Sequence, residues 1–167
     1  MQTPMPIDPT TAKQLADALA SGPTALFAVL SHLFTAVPSI RTATFIAVAP
    51  DKSVTHRIGT SNPVDFPVGN VDPVGDDPWN NAILRDRKPV IGNSVAGMAA
   101  FLPETDGLVA MGYGACACFP IVIAGETRGV VALLGDAGIF TLAALATIDS
   151  LLPIAALTFT FHGVSER

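Results

Sequence analysis

The sequence is poor in charge. Lys, Arg, Asp and Glu make up 14% of the 167 residues and give a formal net charge of −5, whereas roughly a quarter of an average soluble protein is charged. Half of the residues are hydrophobic, and the mean hydropathy is +0.50. A chain this apolar has ample material for a core, which excludes intrinsic disorder. Nucleic-acid binding is also excluded, because a phosphate-reading surface needs a basic patch.

The sequence also lacks a clean apolar run of the about 20 residues that a membrane-spanning helix needs. The first uncharged run, residues 18–40, is broken by Gly22 and Pro23. The last apolar run, residues 139–161, carries Asp149 near its centre, and a carboxylate at mid-bilayer costs roughly 3 kcal/mol. The first ten residues contain no Lys or Arg, unlike a signal peptide. We therefore predict a cytoplasmic chain that does not span a membrane.

Catalytic motifs are absent as well. The chain has no Gly-x-Ser-x-Gly, no phosphate-binding loop and no Gly-x-Gly-x-x-Gly. Its histidines, His32, His56 and His162, fall in different predicted elements without an acidic residue at relay spacing. His56 and Arg57 are interpreted as an exposed strand face, with contact to an anionic ligand as the alternative. We therefore predict no catalytic residue. We also predict no metal site, because a zinc site uses four ligands and the two cysteines have no nearby His or Cys to join them.

Hydrophobic periodicity and turn residues predict alternating helices and hairpins. Helices are predicted over 10–20, with Thr10 or Thr11 as the cap, and over 24–37; strands over 42–49, 53–60 and 64–68; a link over 69–76; a helix from Asp77 to about Asp86 or Arg87; an extended segment over 89–91; a helical turn within 96–101; strands over 115–124 and 127–134; and a helix from Thr141 towards Phe161, with a kink or break at Pro153. Short connections make neighbouring strands antiparallel.

Three stretches resemble the GAF domain family. The segment from Asp77 to Val90, DPWNNAILRDRKPV, is similar to the family's central helix and the extended segment after it. The segment from Cys118 to Leu133, CFPIVIAGETRGVVAL, is similar to the family's hairpin with a proline in one strand and a glycine in the other. Phe140-Thr141 stands where the family's last helix begins. The resemblance covers nearly the whole chain.

The resemblance implies an α/β (α+β) fold of the GAF-like or PAS-like type. A central antiparallel sheet of about six strands would carry the N- and C-terminal helices packed on one face and a ligand cavity in front. We expect a flexible N-terminus over 1–9, a single GAF-like domain over 10–162 and a C-terminal tail over 163–167.

The central helix and the long loop after it supply the candidate ligand-binding residues. Pockets are apolar with a few directional polar groups, and this part of the chain has both. The candidates are Trp79, Asn80, Asn93, Met98, Phe101, Met111, Tyr113 and Cys118. Ser94 and Glu104 add further polar groups. For Trp79 the alternative is core packing on an amphipathic helix.

Two cysteines, Cys116 and Cys118, are spaced so that both thiols point to the same side of a strand. One interpretation is that they are small apolar residues lining a core or cavity. The alternative is a redox pair, because some GAF-like proteins are free methionine-(R)-sulfoxide reductases with cysteines in the loop before this hairpin. Residues 98–114 contain no cysteine here, which departs from that pattern.

The resemblance and the missing catalytic set together predict a small-molecule-binding sensory or regulatory domain without catalytic activity. It would signal through a dimer or a partner; a thiol-dependent reductase and a ligand-free dimerisation scaffold are the alternatives. The ligand is unspecified, and the family's cyclic-nucleotide signature is absent. Because the terminal helices are apolar on more than one side, we also predict a homodimer through them.

Overall fold

An antiparallel sheet of six strands forms the centre of the structure, a computed structural model that describes residues 7–160. The strands are β1 (Ile40–Val48), β2 (Val54–Thr60), β3 (Val71–Pro73), β4 (Val90–Gly92), β5 (Ala115–Ile123) and β6 (Glu126–Gly135). The helices are α1 (Pro9–Ser21), α2 (Pro23–Thr35), α3 (Pro78–Asn80, continued by a π-helical turn Asn81–Arg85), α4 (Val95–Ala99), α5 (Thr105–Ala110) and α6 (Leu142–Thr160). The strand order is β3-β2-β1-β6-β5-β4, which confirms the predicted fold class.

One face of the sheet is covered by α2 and α6, with α1 packed against α2, so the terminal helices lie on one face as the resemblance implies. Strand alternation sends Phe45 of β1, Phe119 of β5 and Leu133 of β6 to this face, where they are buried against Leu26 and Ile148 of the helices. Glycine lets α6 approach the sheet closely, because a Cβ on Gly129 would collide with the ring of Phe159. This larger apolar core therefore holds the sheet and the terminal helices together.

Helix starts follow from short polar caps and prolines. The carboxylate of Asp8 accepts hydrogen bonds from the amides of Thr10 and Thr11, both at 3.0 Å. The predicted cap at Thr10 or Thr11 is therefore wrong, because an aspartate followed by Pro9 starts α1 earlier. The other two predicted starts are confirmed: Asp77 accepts from the Asn80 amide at 2.9 Å, and Thr141 accepts from the Ala144 amide at 3.2 Å.

The third strand lies later in the chain than predicted. Residues 64–68 form turns instead, because two hydrogen bonds join Asn62 and Asp65. The side-chain oxygen of Asn62 accepts from the Asp65 backbone amide at 3.2 Å, and its side-chain nitrogen donates to the Asp65 carboxylate at 2.9 Å. Such local side-chain bonds compete with a strand ladder. The strand comes from the predicted link: Val71, Asp72 and Pro73 pair with β2. Pro73 fits there because β3 is an edge strand, which needs no outward donor.

The central helix and the following loop differ from the prediction in detail. After one α-helical turn the chain widens to a π-helix, with the Asp86 amide bonded to the Asn81 carbonyl at 2.9 Å. The left-handed residue Arg87, with φ of 57°, ends it. The predicted turn within 96–101 corresponds to α4, while α5 was not predicted at all, since Thr, Asp and Gly are weak helix formers.

The last helix, α6, runs without a break through Pro153. It is long and apolar enough to cross a membrane by length and composition, with a mean hydropathy of 1.8, yet it lies on the sheet. Only 28% of its apolar 18-residue stretch is buried, and Asp149 is exposed on it. The predicted tail 163–167, His162 and most of the predicted flexible segment 1–9 lie outside the described residues.

Candidate functional site

The sheet face opposite the terminal helices borders a cavity of about 590 Å³. Four strands supply its floor through residues that alternate with those of the larger core. The floor residues are Thr44, Ile46, Thr55, Arg57, Cys116, Cys118, Ala132 and Leu134. Walls come from the segment before α3, from α3 itself and from the chain around α5, including Phe66, Trp79, Phe101 and Met111. A second, smaller core that includes Ile83, Met98 and Val130 supports these walls.

The helix α4, which precedes the cavity wall around α5, packs closely on the edge strand β4 through a glycine. A Cβ on Gly92 of β4 would lie 2.5 Å from the amide nitrogen of Met98 and 2.7 Å from the carbonyl carbon of Gly97. Backbone atoms cannot yield as a flexible side chain can, so only glycine permits this approach. The position of the segment over the cavity therefore depends on Gly92.

The cavity floor contains a pair of free thiols. The sulfurs of Cys116 and Cys118 lie 3.8 Å apart, and each residue is 3% exposed. The hydrogen bond to Cys118, together with burial, raises the pKa of the Cys116 thiol well above its usual range. The hydrogen bond from Cys116, opposed by burial and aided by one from Trp79, lowers the pKa of Cys118.

Arg57 brings a positive charge to the cavity. Its Nη1 donates to the Pro67 carbonyl at 3.1 Å, and its guanidinium carbon lies 5.5 Å from the ring centre of Phe66. The buried Nε has no hydrogen-bond partner within the described residues. Burial lowers the pKa of Arg57, while the nearby Asp72 opposes that effect. Because buried donors are nearly always paired, this one is available to an acceptor on a bound molecule.

Acidic side chains also border the cavity. Asp77 is occupied as the cap of α3 and accepts from the Asn80 side chain. Asp72 accepts from the Asn70 amide group at 2.8 Å, and Glu104 is exposed. The cavity can therefore hold a molecule with an apolar or aromatic body and a polar group that accepts from Arg57.

The cavity brings together five of the eight predicted site residues: Trp79, Asn80, Phe101, Met111 and Cys118. Trp79 also packs against the smaller core, so it has part of the packing role that was the alternative interpretation. Of the two additional polar residues, Glu104 lines the cavity, whereas Ser94 caps α4 by accepting from the Gly97 amide at 3.0 Å.

Three predicted site residues do not line the cavity. Asn93 bonds to the backbone of Phe140, accepting from its amide at 3.0 Å and donating to its carbonyl at 3.3 Å. Met98 is fully buried in the smaller core. Tyr113 bonds through its hydroxyl to Thr42 at 2.6 Å, with Arg41 stacked over its ring. Their contacts join elements of the fold.

The sequence analysis missed most of the cavity floor. Thr44 and Ile46 alternate with Phe45, and Arg57 was interpreted as an exposed residue. The signal was available in the alternation of β1 and β2, which sends every second residue away from the larger core. Phe66 and Asp72 carried no such signal, because one lies in a turn and the other in an unpredicted strand.

A second hollow, of about 620 Å³, lies between the end of α2 and the start of α6. Its lining includes Leu33, Val37, Ile139 and Ala144 and contains no aromatic side chain or cation. It therefore offers a ligand neither an aromatic surface nor a positive charge, and the cavity on the sheet is the better candidate site.

Known structures with GAF domains match the chain over almost its whole length. The GAF domain from an Acinetobacter phosphoenolpyruvate-protein phosphotransferase has a TM-score of 0.69 at 9% identity and covers 96% of this chain and 98% of its own. The GAF domain of a two-component sensor histidine kinase from Bacillus halodurans gives 0.64 at 13% identity, with 97% and 100% covered.

A phycoerythrobilin-bound GAF domain from a cyanobacterial phytochrome gives a TM-score of 0.68 at 12% identity, with 95% of this chain and 97% of its own covered. No protein-family model matches the sequence, and no curated protein is significantly similar to it. These likenesses establish the GAF fold for this chain.

Proposed function

We propose that the chain is a small-molecule-binding sensory domain without catalytic activity, working in the cytoplasm. The single observation that carries the proposal is the cavity on the free face of the sheet, with aromatic walls and an unpaired Arg57 donor in its lining. The phytochrome GAF domain of similar fold has a pigment bound, and another belongs to a sensor histidine kinase. Both support a ligand-responsive role.

The ligand proposed from the lining has an aromatic or apolar body and an anionic or carbonyl group. Phe66, Trp79 and Phe101 offer ring surfaces to the body, while the Nε of Arg57 offers the unpaired donor. Trp79, Asn80, Phe101, Met111 and Cys118 remain the proposed contacts from the sequence, and Arg57 and Phe66 join them.

Anilinonaphthalene sulfonate, an aromatic anion, is expected to bind the cavity once per chain. Trp79 is the only tryptophan, so binding should quench its emission by energy transfer to the dye. Replacing Arg57 with methionine removes the donor and should weaken binding about tenfold or more, as expected for a lost hydrogen bond to a charged group. Fluorescence titration measures both effects.

Arg128→Met is the matched control for that experiment, because Arg128 is an exposed arginine outside the cavity lining. It should leave dye affinity unchanged. If both variants bind equally well, or if Arg57→Met loses nothing, the dye sits elsewhere and the proposed ligand contact is wrong.

The terminal helices support a homodimer as the signalling form. Both α2 and α6 are rich in apolar residues, and the 19-residue α6 carries one charge, Asp149. Leu142 and Leu157 of α6 are 88% and 37% exposed, and Leu145 and Leu152 are only partly buried. Large exposed apolar patches are rare in monomers. A second copy with the same surface would cover them through a two-fold interface.

The double substitution Ala146→Glu and Leu157→Glu is expected to convert this dimer to a monomer of 17.2 kDa. Both residues are exposed on α6, so new carboxylates should disturb association and spare the fold. Light scattering after size-exclusion chromatography at micromolar concentration measures the mass. Val64→Glu, at an exposed residue in the turn after β2, is the control.

A native chain that is already monomeric would refute the dimer. Binding of the native chain to lipid vesicles would identify a membrane as the partner of α6.

The geometry of the thiols speaks against the reductase alternative. Residues two apart on a strand have Cα atoms about 6.5–6.8 Å apart and nearly parallel side chains, whereas a disulfide needs Cβ atoms about 3.5–4.5 Å apart. Because Cys116 and Cys118 both lie within β5 and pair regularly with β6, closing a bond between them would distort the centre of the sheet. A catalytic cycle through that bond is disfavoured.

A further inference from the structure

The thiol pair in the cavity floor has a reactivity that the proposed function, in which Cys118 is only a contact residue, does not use. Cys116 and Cys118 are free, nearly buried and 3.8 Å apart at their sulfurs, and both line the cavity. The strand holds them side by side, since β5 is paired on one side with β4 and on the other with β6. The two sulfurs are therefore presented together by one of the most constrained parts of the sheet.

Their spacing suits a bridging atom better than a direct bond. A disulfide would have to pull the two Cβ atoms together against the strand, as argued above. An atom bound to both sulfurs leaves the backbone in place, because the sulfurs are already close to van der Waals contact. The site is thus suited to a centre that takes two sulfur ligands.

The residues around the two sulfurs decide which metal ion the pair can bind. Within residues 7–160 no group of three His, Cys, Asp or Glu side chains is placed to hold a metal ion, so a four-coordinate zinc site is not formed. Thiolate and thioether ligands suit Cu(I), zinc and iron–sulfur clusters. Structural zinc sites and iron–sulfur clusters take four protein ligands, whereas Cu(I) accepts two. Met111 and Trp79 line the same cavity as the two thiols.

We propose that Cys116 and Cys118 form a binding site for a soft monovalent cation of the Cu(I) class. On binding, two metal–sulfur bonds form and two S–H bonds break, and both protons pass to solvent; no oxidation state changes. Within this proposal the indole N–H of Trp79, which lines the cavity together with Cys118, positions the Cys118 sulfur. Hydrogen-bonding partners behind a metal ligand commonly act in this way.

The test is a competition titration of the full-length reduced chain with Cu(I) held by bicinchoninate, under anaerobic conditions. We expect one Cu(I) per chain to leave the chelator, and native mass spectrometry should show one bound cation. Silver(I), which undergoes no redox change here, should give the same stoichiometry. Even partners behind the ligands change metal affinity by about 10–100-fold, so Cys116→Ser and Cys118→Ser should each cost about 100-fold or more and Trp79→Phe about tenfold.

Met98→Leu is the control, because Met98 is a fully buried sulfur outside the cavity lining, and it should leave the affinity unchanged. Circular dichroism checks that each variant folds. Should the serine variants fail to fold, alkylation of the native chain decides: bound Cu(I) must protect both cysteines from iodoacetamide in peptide mass spectra. Unprotected cysteines, or serine variants that bind as tightly as the native chain, overturn the proposal. Dye binding through Arg57 is measured separately and does not depend on this result.

Discussion

Replacing Phe45 with alanine is expected to lower the free energy of unfolding by about 3–5 kcal/mol, as is usual for loss of a buried phenylalanine. Phe45 is fully buried under the terminal helices. Its ring centre lies 5.1 Å from that of Phe27 and 6.2 Å from that of Phe34. Because domains of this kind are stable by about 5–15 kcal/mol, much of the stability would be lost. Urea unfolding followed by circular dichroism measures the change.

Phe66→Ala is the matched control on the other face of the sheet. Phe66 is only partly buried, between Arg57 and Tyr113 in the cavity wall. We expect a loss of about 1 kcal/mol in stability but clearly weaker binding of anilinonaphthalene sulfonate. If the two variants lose equal stability, the assignment of folding to one face and ligand binding to the other is incorrect.

The Gly92→Ala variant is expected to lose about 3 kcal/mol of stability, at the upper end of what overpacking costs, and most of its dye affinity as well. The added Cβ would meet backbone atoms of Gly97 and Met98. Relief of that collision moves α4 away from β4, and the chain around α5 that walls the cavity follows it. Urea unfolding and dye titration on the same samples separate the two effects.

Gly107→Ala is the control for Gly92→Ala. A Cβ on Gly107 meets no atom within 4 Å, and the residue lies inside α5. Alanine there should raise stability by about 0.8–1 kcal/mol, the difference in helix propensity. A Gly92→Ala protein with native stability and dye affinity would show that the contact between β4 and α4 does not position the cavity wall.

The parts of the fold with regular periodicity could be predicted from the sequence. The β5–β6 hairpin was predicted to within one residue at each boundary, because two apolar, β-branched runs flank a turn at Gly125. Alternation also placed Cys116 and Cys118 on the same face of the strand, where both join the smaller core. The terminal helices followed from long apolar runs.

The rest depended on interactions that periodicity does not record. The turn at Asn62 and the edge strand at Val71 are decided by side-chain hydrogen bonds and by pairing with β2. The cavity was predicted from the composition of α3 and the long loop, which identified the walls. Most of its floor was missed, because Thr44 and Arg57 are polar strand residues, and Arg57 was interpreted as part of an exposed face.

Pro153 leaves one backbone carbonyl of the last helix without its helical hydrogen bond, and water has to solvate it. Proline has no backbone N–H, so the carbonyl of Asp149, four residues earlier, receives no helical hydrogen bond from it. That carbonyl and the exposed Asp149 carboxylate place oxygen atoms close together in an otherwise apolar surface. Water must stay with them, or a donor must replace it. The hydrocarbon core of a membrane offers neither water nor a hydrogen-bond donor. A partner helix has to leave room for solvent beside Asp149, which restricts how two such helices can align.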